Sequence, residues 1–205
     1  MEHYRTLKRS ILLAAGLFFS FIVSAQDPAL YNTYNSEREH ITANSMLVLG
    51  GWAIGNMAVG AAGALTTPTG TEANYFHQMN IYWNVVNLGI AVPAYIGARK
   101  HRDASLTIPQ TFDKQRSVEN VYLINVALDV AYTGTGLWMH ERGNDLDGKR
   151  GEVLSGFGNS LMLQGGFLLV YDVVNYSVHA RHWKKTRSKL WEQLQFNGTS
   201  IQYSF

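Results

Sequence analysis

Four long stretches of the chain carry almost no charge. Residues 40–71, 73–98 and 153–171 contain no Asp, Glu, Lys or Arg, and residues 120–140 contain only Asp129. The polar residues that remain fall at helical spacing. His77, Asn80, Asn84 and Asn87 recur at steps of three, four and three, which puts them on one face of a helix. Ile81, Val85, Leu88 and Val92, with Met79, Val86 and Ile90, cover the rest of that helix. Asn125, Asp129, Thr133, Gly136 and His140 repeat the pattern in steps near four, and Asp172, Asn175 and His179 share one side of a fourth segment that also holds Gln164. A soluble amphipathic helix shows Lys and Glu on its wet side. Narrow, uncharged stripes point instead to the interior of a membrane bundle. The pattern predicts helices over about 46–65, 75–98, 117–140 and 154–179, each long enough to span.

The flanks read differently. Arg5, Lys8 and Arg9 precede an apolar run from Ile11 to Val23, with Ser24 and Ala25 behind it. This is the pattern of a signal peptide over residues 1–25, cleaved after Ala25; the alternative is an uncleaved anchor. Asp27 and Pro28 suit a cap and first-turn residue, opening a polar lead-in helix over 26–45 with Tyr31, Tyr34, Arg38 and Ile41 at helical spacing. After the bundle, assigned to 46–182, the tail over 183–205 begins as a basic helix with Trp183 and Trp191. Leu194 and Phe196 then alternate before Asn197 and Gly198, and Ile201, Tyr203 and Phe205 after them, which predicts a β-hairpin. The expected fold is all-α: a four-helix membrane bundle after an N-terminal signal peptide, with a short C-terminal hairpin tail.

The connections carry the punctuation. Thr66 to Thr71, with Pro68 and Gly70, reads as a turn; Arg99 to Arg116 as a basic, Pro-containing connection; Glu141 to Glu152 as a charged, Gly-rich loop. Ser117 is the expected cap of the third helix, and Pro93 a possible kink in the second. Gly51 and Gly55 form a small-xxx-small pair of the kind that lets membrane helices approach closely. Residues 82–87 (YWNVVN) resemble residues 170–175 (VYDVVN), a hint that the helical hairpins are duplicated, with Asn56 and Asp129 as further matching polar positions.

At 205 residues with a net charge of +2 and 46% apolar residues, the chain suits one domain with a real core. The absence of cysteine excludes disulfides, thiolate catalysis and thiolate metal sites. Basic residues gather between Arg99 and Arg116 and between Arg181 and Lys189. Segments so apolar between them favour membrane lipids over nucleic acid as the partner. Cleavage after Ala25 followed by four spans leaves both basic regions outside, against the positive-inside tendency, so orientation stays open at this point.

His77, Asn80, Asn84, Asn87, Asn125, Asp129, Asp172, Asn175 and His179 are the candidate site: a polar intramembrane network. It serves either to hold helices in register or, with Asp129 and Asp172 as its acids, to handle protons or cations. His179 and His182 with Asp172 lack any supporting metal motif, so no metal and no cofactor are expected. Glu37 and Glu39 beside Arg38 read as a solvated face, with a reach of Arg38 into a polar bundle mouth as the alternative. The five tryptophans (Trp52, Trp83, Trp138, Trp183, Trp191) suit membrane interfaces or helix packing. Nucleophile, phosphate-loop and dinucleotide motifs do not occur, so an enzyme is the third choice.

Several segments carry a resemblance: Ser24, Ala25 and Gln26 at the end of the signal, residues 48–56 (VLGGWAIGN), 76–80 (FHQMN), 83–88 (WNVVNL) and 164–172 (QGGFLLVYD). Through them most of the mature chain resembles an uncharacterised family, a domain of unknown function, of small exported or membrane-embedded helical proteins of Bacteroidota. The resemblance implies a membrane bundle and transfers no catalytic residue. The expected function is that of a structural or accessory membrane subunit with lipid contacts and a possible protein partner or homo-oligomer; the alternative is a small proton- or cation-coupled transporter or channel. The expected location is the inner membrane, with outer-membrane association as the alternative.

Overall fold

Four helices follow the four predicted segments, but each is longer than its apolar stretch. The computed structural model describes the backbone of residues 28–195 and the side chains of residues 29–189. The expected signal peptide, the Asp27 cap and the Asn197–Gly198 hairpin lie outside the described residues. The helices are α1 (Pro28–Thr66), α2 (Glu72–His101), α3 (Ile108–Asn144) and α4 (Lys149–Gln195), with no strand among the described residues.

The lead-in helix and the first apolar segment are one element, because no Gly or Pro interrupts residues 29–49. For the same reason the fourth segment and the basic helix are continuous, and α4 runs through Leu194, where alternation predicted a strand.

The largest correction falls on the expected connection over 99–116. Here α2 continues to His101 and α3 begins at Ile108, leaving a link of six residues. Thr107 caps α3, not Ser117. Its hydroxyl accepts from the Gln110 N–H at 3.4 Å while the Gln110 side chain accepts from the Thr107 N–H at 2.9 Å, a complete capping box with Pro109 in the first turn. Thr71 caps α2 by accepting from the Asn74 N–H at 3.3 Å. A carboxylate oxygen of Glu152 on α4 takes the Glu72 N–H, adding negative charge at the positive end of α2.

Two hairpins result, α1–α2 and α3–α4. Each turn ends on a left-handed glycine just before the next helix, Gly70 at φ 86° and Gly148 at φ 68°, a conformation that costs glycine nothing. The hairpins join mainly through α2 against α4. Within the second hairpin the backbones nearly touch: a Cβ added at Gly136 would lie 2.7 Å from the Gly158 carbonyl oxygen, and one added at Gly158 would lie 2.6 Å from the Gly136 oxygen. Gly51 and Gly55, by contrast, have no atom within 4 Å of where a side chain would start. The small-xxx-small pair on α1 therefore faces outward and packs on none of the described residues.

On α3 the fully buried positions include Ile108, Gln115, Tyr122, Asp129, Gly136 and Gly143, each seven residues after the last. This is the spacing of a coiled-coil seam.

Among the described residues the outside is apolar, and the interior pairs an apolar cluster around Met46, Leu49, Ala91, Leu168 and Tyr171 with many buried polar groups. Val59, Val86, Ile96, Ile124, Val130 and Val170 are among the many large apolar side chains left exposed, on all four helices. Asn80, Asn84, Gln115, Ser160, Gln164 and Asp172 are buried. Three helical stretches, Ala29–Thr66, Glu72–His101 and Lys149–Lys189, are long and apolar enough to cross a membrane. Helix α3 falls short of that measure because Asn120, Asn125, Asp129, Thr133 and Thr135 dilute it, although its outer face shows Val121, Leu123, Ile124, Val130 and Leu137.

Charge sits at the two ends. The start of α1, the link between the hairpins and the last turns of α4 form one end; its residues 37–39, 99–119 and 181–189 hold eleven Lys or Arg against five Asp or Glu. The hairpin end, at Glu72 and residues 141–152, holds three against five.

Candidate functional site

The buried polar side chains form two connected groups, one at mid-height and one at the basic end. At mid-height the centre is Gln164, which is fully buried. Its amide donates to the Asn80 side-chain oxygen at 2.7 Å and to that of Asn56 at 3.4 Å, and its carbonyl accepts from the Trp52 indole at 2.9 Å. One side chain of α4 thus ties down both α1 and α2. Ser160 adds a second bond to Asn80 at 3.0 Å, and Trp52 stacks on Phe167 with ring centres 3.7 Å apart.

The predicted stripe on α2 divides. Asn80, Asn84 and Asn87 are buried, with Asn84 donating to the Asn80 carbonyl at 2.8 Å and Asn87 to the Asn84 side chain at 3.1 Å. His77 does not join them. Its ring lies over Gly63 of α1 and edge-on to Phe76, and its Nδ1 has no partner. The missing Gly63 side chain makes room for the imidazole against α1.

Asp129 of α3 and Asp172 of α4 are neighbours across the two helices, with Asn125 beside Asp172. Oδ2 of Asp129 accepts from no donor group. One helical turn beyond, Asn175 donates to the Tyr171 carbonyl at 2.7 Å and accepts from the Ser45 hydroxyl, while the Tyr171 hydroxyl donates to the Ser45 carbonyl at 2.9 Å. These bonds fix α4 against α1.

At the basic end the buried residue is Arg38, only 1% exposed. Of the two sequence readings, the solvated face fails and the alternative of a polar bundle mouth fits: Arg38 donates to Asn35 at 2.8 Å and to the Glu39 carboxylate at 2.9 Å. Asn35 passes the network to Thr111 at 2.8 Å, and Tyr34 donates to Gln115, so α1 is held to α3. Gln115 in turn donates to Glu119 at 2.7 Å and to the His179 carbonyl at 3.3 Å. His182 stacks on Tyr34 with ring centres 4.5 Å apart and meets the Glu37 carboxylate at 2.8 Å. The His179 ring is wholly buried against Tyr122, with neither nitrogen hydrogen-bonded.

The structure therefore brings together Asn80, Asn84 and Asn87, pairs Asp129 with Asp172 beside Asn125, and sets Asn175 and His179 on the same buried face of α4. Sequence reasoning left Ser45, Ser160, Gln164, Arg38, Tyr34, Thr111 and Gln115 out of the site. A signal existed: Tyr34 and Arg38 are four apart on the predicted lead-in helix, and Ser160 and Gln164 are four apart on the fourth. Among the described residues no group of three or more His, Asp or Glu is placed to hold a metal ion.

No curated protein and no solved structure matches the chain. Residues 48–173 match a family model, so that the span from the charge-free half of α1 to the Asp172 turn of α4 marks this chain as a member of the family of unknown function DUF6992.

Proposed function

We propose that this chain is an integral membrane protein, a four-span structural or accessory subunit whose inner hydrogen bonds hold its helices in register. The observation that carries the reading is the inversion of the fold: large aliphatic side chains exposed on every helix and amides, hydroxyls, carboxyls and an arginine enclosed. Water favours the opposite arrangement, whereas a hydrocarbon surround makes polar groups seek one another inside the bundle. The charge-free part of α3, residues 120–140 apart from Asp129, is about 31 Å long at 1.5 Å per residue, close to the hydrocarbon thickness of a bilayer.

The deciding experiment is fractionation of the expressed protein with a carbonate wash. Retention in the membrane pellet is expected; release into the supernatant refutes the reading. The inner membrane is the proposed location, with the basic end toward the cytoplasm. That orientation and cleavage after Ala25 exclude each other for a four-span chain, so N-terminal sequencing of the membrane-purified protein also reports orientation.

The carboxyl pair of Asp129 and Asp172 favours a second reading, a proton- or cation-coupled transporter. Cavities open at the two ends of the bundle, and neither is lined by either aspartate. Loss of transport in Asp172→Asn with the fold intact supports that alternative, because an amide cannot take up and release a proton near neutral pH.

A further inference from the structure

All three basic residues of the hairpin end converge on one cavity. Arg142, Lys149 and Arg150 line a depression of about 640 Å³ between the end of α3 and the start of α4, together with Trp138, Leu146, Val153 and Leu154. The same end carries five acids, yet none of them lines this cavity. Asp145 lies 3.7 Å from one Arg142 nitrogen, and a guanidinium engaged by one such contact keeps other N–H donors free.

The walls indicate what the cations face. Trp138 is 62% exposed although it is the largest apolar side chain of its helix, and it lies within the stretch of α3 that holds no charge after Asp129. Across from it, Val153 and Leu154 open the charge-free stretch of α4. The cavity thus straddles the level at which both helices pass from charged to apolar. An exposed tryptophan at that level, aliphatic walls below and cations above match the profile of a bilayer interface. The volume lies within the range of small-molecule sites.

From this juxtaposition we propose that the cavity binds the phosphate group of an anionic phospholipid, held by Arg142, Lys149 and Arg150 with its acyl chains against Trp138, Val153 and Leu154. Arginine is suited to phosphate because its planar donors engage two oxygens at once. The proposal rests on the membrane reading above, and the carbonate wash tests that reading separately. A chain that stays in the pellet yet binds no lipid at this cavity overturns only the present assignment.

The test uses the full chain purified in an uncharged detergent. Its thermal unfolding midpoint is followed against dioctanoyl phosphatidylglycerol, dioctanoyl phosphatidylcholine and inorganic phosphate. Saturable stabilisation by the phosphatidylglycerol is expected. In Arg142→Gln/Arg150→Gln the half-saturating concentration rises by about 10-fold or more, the scale of losing charge-assisted bonds. In Lys184→Gln/Lys185→Gln, which removes the same charge from exposed positions at the other end, it stays unchanged. Lys149→Glu provides a second disruption at an exposed position, should the double variant not fold. Equal weakening in both double variants overturns the site in favour of diffuse charge attraction. Stabilisation by inorganic phosphate as strong as by the lipid overturns the lipid assignment, and the absence of saturable stabilisation overturns both.

Discussion

Replacing Gln164 with leucine tests the inner network at its most connected point. The change keeps the side chain near its original size but removes three bonds: from Trp52 at 2.9 Å, to Asn80 at 2.7 Å and to Asn56 at 3.4 Å. The partners do not suffer equally. The Asn80 oxygen keeps its bond from Ser160, whereas the Asn56 oxygen loses its donor although the Asn56 amide nitrogen still donates to the Trp52 carbonyl at 2.9 Å. The Trp52 indole N–H loses its acceptor. Stranding a buried donor costs roughly 1–3 kcal/mol, and two interhelical bonds in a membrane protein add about 0.6 kcal/mol each. The expected loss is therefore about 2–4 kcal/mol, with little hydrophobic return, since lipid outside the bundle is as apolar as the new leucine. The assay is equilibrium unfolding in detergent of Gln164→Leu, Trp52→Phe and the double variant. Because Trp52→Phe removes the stranded donor itself, the double variant should lose less than the two singles together by about 1–2 kcal/mol. A Gln164→Leu protein within about 0.5 kcal/mol of wild type, or strictly additive variants, refutes the reasoning.

Other outcomes follow from the same contacts. Gly158→Ala places a methyl 2.6 Å from both the Gly136 oxygen and the His140 nitrogen and should cost about 1–3 kcal/mol in detergent unfolding, whereas Gly55→Ala enters open space and should be neutral or slightly stabilising; the reverse ranking would contradict the packing of α3 on α4. Asp172→Asn keeps donors and acceptors for Asn125 and Asp129 and should be mild, while Asp172→Leu strands both at roughly 1–3 kcal/mol in the same measurement. Cysteines introduced at Val85, Leu137 or Val170 should resist a membrane-impermeant maleimide in intact membranes. Those at Asp147 and Lys185 should react, each from the opposite side, and labelling of both from one side would sink the four-span arrangement.

The sequence disclosed the helices and the polar direction of each, because absent charge and a three-to-four spacing are readable residue by residue. It misjudged the places where a polar residue at the edge of an apolar stretch turns inward. Arg38 looked solvated between Glu37 and Glu39, yet its neighbours in space are Asn35 and the Glu39 carboxylate, with Tyr34 and Gln115 closing over them. Only the approach of α3, about 75 residues away in the chain, makes that environment. The link over 99–116 misled for a different reason: charge masked the Thr107–Gln110 box, a helix start that does not depend on an apolar run. Gly51 and Gly55 show the limit of short motifs, since Gly136 and Gly158, with no such signature, carry the close backbone contact.

The seven-residue ladder on α3 has a consequence for how the second hairpin finds its alignment. Positions on an ideal helix drift about 20° per seven residues, so keeping Ile108 through Gly143 on one seam over five intervals turns α3 about its neighbour by roughly 100° in a left-handed sense. The rungs are evenly spaced but chemically unlike: an aliphatic, an amide, a phenol, an acid and two glycines. Sliding α3 by one rung would push Asp129 against the Gly158 backbone and leave Asp172 facing Tyr122. No displaced alignment offers each rung a suitable neighbour, so the hairpin works as a lock whose tumblers rise to one height only.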